Sequence, residues 1–237
     1  MKQGKLSIRK LILTLVLLLL AIAFMLPLLW MLSSSLKTPM QVFEKPFRWF
    51  TDKLRFYNYA SVWTDADMPF WKSFANSLTI SVVSVVGQLI VSSMAGYAFA
   101  KIEFKGRNLL FTLMLMTMMI PMQVLIIPRY MLFHQIGLYD TLWALIIPNF
   151  FNFTSIFLLR QFYLSLPNEM MEAALIDGAG YFRIWRSIML PLTKNGLISA
   201  AILAFISSWN EYLSALIFLP SKENYTVSLA IRYYLND

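Results

Sequence analysis

Long uncharged stretches alternate with short charged ones along this chain. Residues 11–36, 73–100, 108–128 and 141–159 carry no Asp, Glu, Lys or Arg, and 195–220 carries only Glu211. An α-helix rises about 1.5 Å per residue, so runs of this length can cross the ~30 Å hydrocarbon core of a bilayer. They are continuously apolar and do not alternate residue by residue, which predicts helices and not barrel strands. The expected fold is all-α, a polytopic transmembrane helical bundle with five visible spans.

The segments between the runs set the orientation. Residues 1–10 carry Lys2, Lys5, Arg9 and Lys10 ahead of an apolar run too long for a signal peptide, with no small-x-small cleavage site. That predicts a retained first helix and a cytoplasmic N-terminus. Residues 37–72 then lie outside, 101–107 inside, 129–140 outside and 160–194 inside, and 221–237 form an extracytoplasmic tail. Eleven Lys and Arg fall inside against nine outside. The orientation therefore rests on the basic start, the Lys101, Lys105, Arg107 turn and the outer turn whose one basic side chain is Arg129.

Composition narrows the function classes. The 237 residues are 59% hydrophobic and 14% charged, more apolar than soluble domains, so membrane lipid is the expected partner of much of the surface. The net charge of +8 is scattered between spans and not gathered on one face, which argues against a nucleic-acid partner. With no cysteine, disulfides and thiolate metal sites are excluded. The G-x-x-x-x-G-K-[ST], G-x-G-x-x-G, H-E-x-x-H and G-x-S-x-G patterns are missing, and His134 is the sole histidine. No catalytic residue, metal ligand or cofactor of its own is assigned, and the chain reads as no enzyme.

Several features inside or beside the runs invite a role. The outer segment is rich in Trp49, Tyr57, Tyr59, Trp63 and Trp71, either an interfacial belt or a face toward a partner or solute entrance. The second run is dotted with Ser and Gly, as expected where helices approach closely in lipid. The third carries a methionine series from Met114 to Met122, read as adaptable packing. Pro121 and Pro128 bracket its outer end and Pro148 interrupts the fourth, marking kinks that free carbonyls. Asn149, Phe150 and Asn152 combine amides and rings that suit a sugar, or join helix to helix. Trp209 and Asn210 flank Glu211, which is either an intramembrane functional carboxylate or a group reaching the outer interface where the run bends.

The long inner segment, 165–191, predicts two short helices. Ser165 or Asn168 stands near the first cap, and Pro167 falls in its first turn. Glu169 and Glu172 favour the positive end of the dipole, Ala173 and Ala174 leave a close-approach face, and Asp177-Gly178 provides a left-handed stop. The second helix runs from about Gly180 to Met189, closed by Pro191. Helices this short are marginal alone and suit docking into a partner's groove.

These residues resemble a known family. Glu172-Ala173-Ala174, Gly178, Ile188, Leu190 and Pro191 stand at every fixed position of the E-A-A-x3-G-x9-I-x-L-P loop of permease subunits of binding-protein-dependent ABC importers. Ser35-Leu36-Lys37, Asn58-Tyr59, Asn76-Ser77-Leu78, Gly106-Arg107, Ile120-Pro121-Met122-Gln123 and Trp209-Asn210-Glu211-Tyr212 are similar to the carbohydrate branch, in particular the second permease of the maltose-type system. The resemblance implies a type I ABC importer permease in a bacterial or archaeal cytoplasmic membrane. It implies pairing with a second permease and receipt of sugar from an extracytoplasmic binding protein. The loop, from Glu169 through Asp177 to Pro191, would dock into ATPase subunits that hold the ATP and Mg. The family usually ends in a sixth span, whereas this sequence stops at Asp237, so the usual sixth is expected to be missing. A self-contained carrier or channel, a permease for a non-sugar solute and a non-transporting membrane subunit are the alternatives.

Overall fold

The structure, a computed structural model, describes residues 8–46, 48–51 and 53–236. Lys2 and Lys5, two of the basic residues used for orientation, lie outside the described residues. The chain divides into two compact units, Met1–Asp65 and Ala66–Asp237.

In the first unit, α1 (Ile8–Ser35) is followed by a single turn, α2 (Pro39–Val42), and by α3 (Tyr57–Trp63). Thr38 and Gln41 form a reciprocal capping box for α2, satisfying two backbone donors at once. The Asn58 side chain donates to the carbonyls of Ser35 (2.9 Å) and Lys37 (3.0 Å), and the Tyr59 hydroxyl meets Ser35 Oγ at 2.7 Å. Two of the short motifs that carry the resemblance therefore bind each other, fastening α3 to the end of α1.

The second unit is built around α4 (Phe70–Lys101). Its polarity is inverted relative to a soluble helix. Ser73, Ser77, Ser81, Ser84 and Gln88 are buried, whereas Val82, Val86 and Ile90 are exposed. The buried positions recur every three to four residues and so form one face. In lipid the apolar face costs nothing to expose, and small polar side chains let backbones approach.

After it come, in chain order, α5 (Arg107–Thr117), α6 (Ile126–Gln135), α7 (Trp143–Asn149), α8 (Phe153–Leu164), α9 (Glu169–Ile176), α10 (Tyr181–Ile184), α11 (Leu190–Leu192), α12 (Lys194–Trp209), α13 (Leu213–Phe218) and α14 (Val227–Asn236). Of these, α8, α12 and α7 make the most extensive contacts with α4. A Cβ on Gly96 would stand 3.0 Å from the Arg160 nitrogen and 3.2 Å from the Ile156 oxygen, so α4 and α8 meet backbone to backbone there. The Gln88 amide donates to Ser155 Oγ at 2.6 Å.

Among the described residues, three helical stretches are long and apolar enough to cross a membrane: Ile8–Ser35, Phe70–Lys101 and Trp143–Leu164. Two bent pairs raise the number to five if each is one span: Arg107–Thr117 with Met122–Gln135 at 89°, and Tyr181–Leu192 with Lys194–Trp209 at 81°. The run 108–128 is therefore not one straight helix. Pro121 has extended backbone and biases the residue before it away from helix, so the chain turns sharply there. Pro128 lies in the first turn of α6, where its missing N–H leaves no bond unmade. The run 195–220 is likewise broken, at Asn210–Tyr212, between α12 and α13.

Two apolar clusters sit at opposite ends of α4. One joins Ile80, Phe133, Leu145, Phe218 and Leu229. The other joins Tyr97, Tyr163, Ala174, Ile184, Trp185 and Met189 and carries the inner segment.

Candidate functional site

The inner segment folds as two helices around a tight elbow. α9 starts after Asn168 with Glu169 and Glu172 in its first turn, where carboxylates complement the unpaired N–H groups. Pro167 lies ahead of Asn168 and not inside the first turn. The elbow is a Schellman close: Ala179 N donates to Ala174 O at 2.9 Å and Gly178 N to Leu175 O at 3.0 Å. It requires a left-handed residue, supplied by Gly178 at φ +78°. Asp177 is the C-cap residue.

α9 faces two ways. Ala174 is buried in the apolar cluster, while Glu172, Ala173 and Asp177 are exposed and Ile176 is 87% exposed. An apolar side chain that open on an eight-residue helix is surface available to a partner.

The second helix continues past the point where Pro191 is expected to close it. α10, a π-helical turn at Trp185–Met189 and α11 run without interruption to Leu192. A proline at 191 has no N–H to offer and its ring would collide with the residue 187 carbonyl in a regular α-helix. The wider turn, marked by Leu190 N donating to Trp185 O, relieves that conflict. Ile188 and Leu190 pack on the rim of the cluster. Thr193, whose hydroxyl donates to Met189 O at 3.0 Å, marks the bend into α12. Within the cluster the Tyr163 hydroxyl and the Trp185 indole N–H lie buried without a hydrogen bond of ordinary geometry.

The residues proposed to face solute sit at helix breaks. Asn149 reaches Ser84 Oγ at 3.5 Å. The Phe150 ring fills the notch at Gly87, where an added Cβ would come within 2.2 Å of it. Asn152 Oδ1 accepts from Ser155 N at 2.9 Å, capping α8. Trp209 stacks on Phe205 at 5.6 Å and meets Phe74 edge-on at 5.6 Å. The Asn210 amide donates to Ile206 O at 2.7 Å, and Glu211 Oε1 accepts from Ser214 N at 2.8 Å at the start of α13. Both breaks border the same apolar cluster, through Phe150 and Tyr212, so the fold brings the two groups to one region.

Residues 88–237 match the family described as binding-protein-dependent transport system inner membrane component. The chain belongs to that family. This inner-membrane component is 40% identical over 174 residues to the arabinooligosaccharides transport system permease protein AraQ of Halalkalibacterium halodurans, covering 73% of this chain and 62% of that protein. It is 33% identical over 214 residues to the diacetylchitobiose uptake system permease protein NgcG of Streptomyces coelicolor, covering 89% and 70%. Among solved structures it resembles a chain of a bacterial ABC transporter involved in the import of the acidic polysaccharide alginate, with a TM-score of 0.83 and 26% identity over 100% of this chain and 82% of that one. It is thus a multi-pass transport component and not an enzyme.

Two features of the inner-membrane component escaped the sequence reading. Lys101 counted only as an inner charge, yet it is 7% exposed and its ammonium donates to Leu166 O and Asn168 Oδ1, both at 2.6 Å. Asp140 counted as an outer-turn residue, yet it binds Ser221 and Asn224 some 81 and 84 residues further on. Its positive φ of 58° is unusual for a residue other than glycine.

Proposed function

We propose that this chain is one of two paired membrane subunits of an ABC importer for a carbohydrate. In this reading α9 and its elbow seat in an ATPase subunit, which holds ATP and Mg, and a binding protein delivers solute from outside. The observation that carries it is the open face of α9, with Glu172, Ala173 and Ile176 uncovered beside the rigid Gly178 turn. That placement supports Glu169, Glu172, Ala173, Asp177 and Gly178 as the docking surface, with Ala174 seating α9 on the apolar cluster, and Ile188, Leu190 and Pro191 as the link to α12. The oligosaccharide systems named for AraQ and NgcG support a sugar. Permease proteins of sn-glycerol-3-phosphate systems, such as UgpE of Yersinia enterocolitica at 32% identity over 201 residues, favour a phosphorylated polyol as the second reading. Asn149, Phe150, Asn152, Trp209, Asn210 and Glu211 are proposed to border the pathway.

The test is copurification with the ATPase subunit and ATP-driven uptake in proteoliposomes. Glu172→Lys or Gly178→Pro is expected to release the ATPase while the chain still inserts; proline cannot adopt φ near +78°. ATP-coupled uptake at the normal rate in both variants would overturn the docking surface. Ligand bound to the copurified binding protein identifies the solute.

A further inference from the structure

Lys101 closes α4, and burying an ammonium is costly unless it is paired. Its two acceptors are the carbonyl of Leu166 and the side chain of Asn168, the residues that lead directly into α9. Glu169, in the first turn of α9, adds through-space attraction. A cation at this place also complements the negative end of the α4 dipole. One side chain thus ties the end of α4 to the entrance of α9, across 65 to 67 residues of chain.

The helix it ties is suited to carry displacement. α4 runs unbroken for 32 residues, whereas the α5–α6, α7–α8 and α12–α13 stretches are all interrupted. At the far end of α4 the Asn76 amide donates to Glu223 O (2.8 Å) and Tyr225 O (3.1 Å), and Ser77 Oγ accepts from Val227 N at 2.8 Å. The covalent routes out of α9 are softer, since one passes through the π turn and the 81° bend at Thr193 and the other through the Phe150–Asn152 break.

We propose that Lys101 is a positioning residue of energy coupling, which makes α4 follow α9 and so relays movement of the docking loop to residues 223–227 at the opposite end. This rests on the docking role proposed above. Lys101 touches neither nucleotide nor solute; it acts through α9 and α4.

The test uses the full complex of both permeases, ATPase and binding protein in proteoliposomes, with solute transported per ATP hydrolysed as the readout. Lys101→Met keeps the apolar stem and removes the donors, and is expected to lower that ratio about tenfold, within the range of ordinary coupling energies. Lys101→Arg, which retains donors, is expected to restore most of it. Asn168→Ala and Asn76→Ala are expected to lower it by less. A purely structural lysine would reduce the amount of complex and leave the ratio unchanged. Wild-type coupling in Lys101→Met with the ATPase bound overturns the proposal. If Lys101→Met does not assemble, an unchanged ratio in Asn168→Ala overturns it instead. Retention of a working ATPase by Glu172→Lys would sink the docking role alone, separating the two failures.

Discussion

Both ends of α4 rest on an apolar cluster, but they differ in the hydrogen bonds added to it. At the Phe70 end the holding is directional. Asp140 accepts from the Ser221 amide at 3.2 Å, from the Ser221 hydroxyl and from the Asn224 amide at 3.1 Å, and Asn76 and Ser77 bind the segment just beyond. At the Lys101 end the directional bonds are fewer: aromatic and aliphatic packing and one buried ammonium with two acceptors. Beside them Met94, Tyr97, Tyr181, Phe182 and Trp185 line a cavity of about 200 Å³. Hydrogen bonds fix a register because they fail when groups slip by an ångström, whereas apolar contacts tolerate repositioning. The difference teaches that α4 and residues 221–227 form one body, and that at the docking loop the apolar packing can shift while Lys101 carries the link.

The largest effect that could break this comparison is expected from Asp140→Ala. It strands donors on Ser221 and Asn224 and places alanine at positive φ, which should cost roughly 3 kcal/mol by thermal unfolding in detergent. A change under about 0.5 kcal/mol would mean that the Phe70 end is not fastened by this network.

Gly178→Ala should cost about 1 kcal/mol through the left-handed backbone alone, because no atom lies within 4 Å of an added Cβ there. A cost several times larger would show that the elbow is packed and not free.

A pH series gives a smaller effect of known sign. Burial pushes the Asp140 carboxyl up, but the bonds from Ser221 and Asn224 outweigh it and hold the group below the usual carboxylate range. The stability it adds is complete above the unfolded carboxyl value of about 3.9 and disappears as pH falls through the lower folded value. Unfolding temperatures between pH 6 and pH 3 should fall at the acid end, and Asp140→Asn should flatten that part of the curve.

The smallest effect is expected from Tyr163→Phe, which deletes a buried hydroxyl that has no good partner. It should be neutral or slightly stabilising; a loss above about 1 kcal/mol would give the Lys101 end a polar bond that the comparison denies it.

How much of this was legible in the sequence follows from what each signal measures. Absence of charge reports a run long enough to cross lipid, and it marked all five runs, but it does not report direction. The turn at Pro121 and the breaks at Phe150–Asn152 and Asn210–Tyr212 carry almost no charge, so charge alone passed over them, although the prolines predicted kinks and a bend at Glu211 was one of two readings. Pro121, Pro148 and Asn210 were the available hints. The elbow at Gly178 was legible because local stereochemistry demands glycine. The π turn was not, since its cause, Pro191, reads equally well as a helix stop. Lys101 and Asp140 were hidden for a common reason: their partners lie 65 to 84 residues away, and neither period nor spacing encodes a contact at that range.

The bonds at the Phe70 end also impose an order in time. Asn76 cannot find its acceptors until Glu223 has been made, 147 residues later, which at about 5–20 residues per second takes roughly 7–30 s of synthesis. Lys101 needs only 65 more residues. During translation the loop end of α4 can close first, while Asn76 and Ser77 at its other end wait in the membrane for residues 223–227 to arrive.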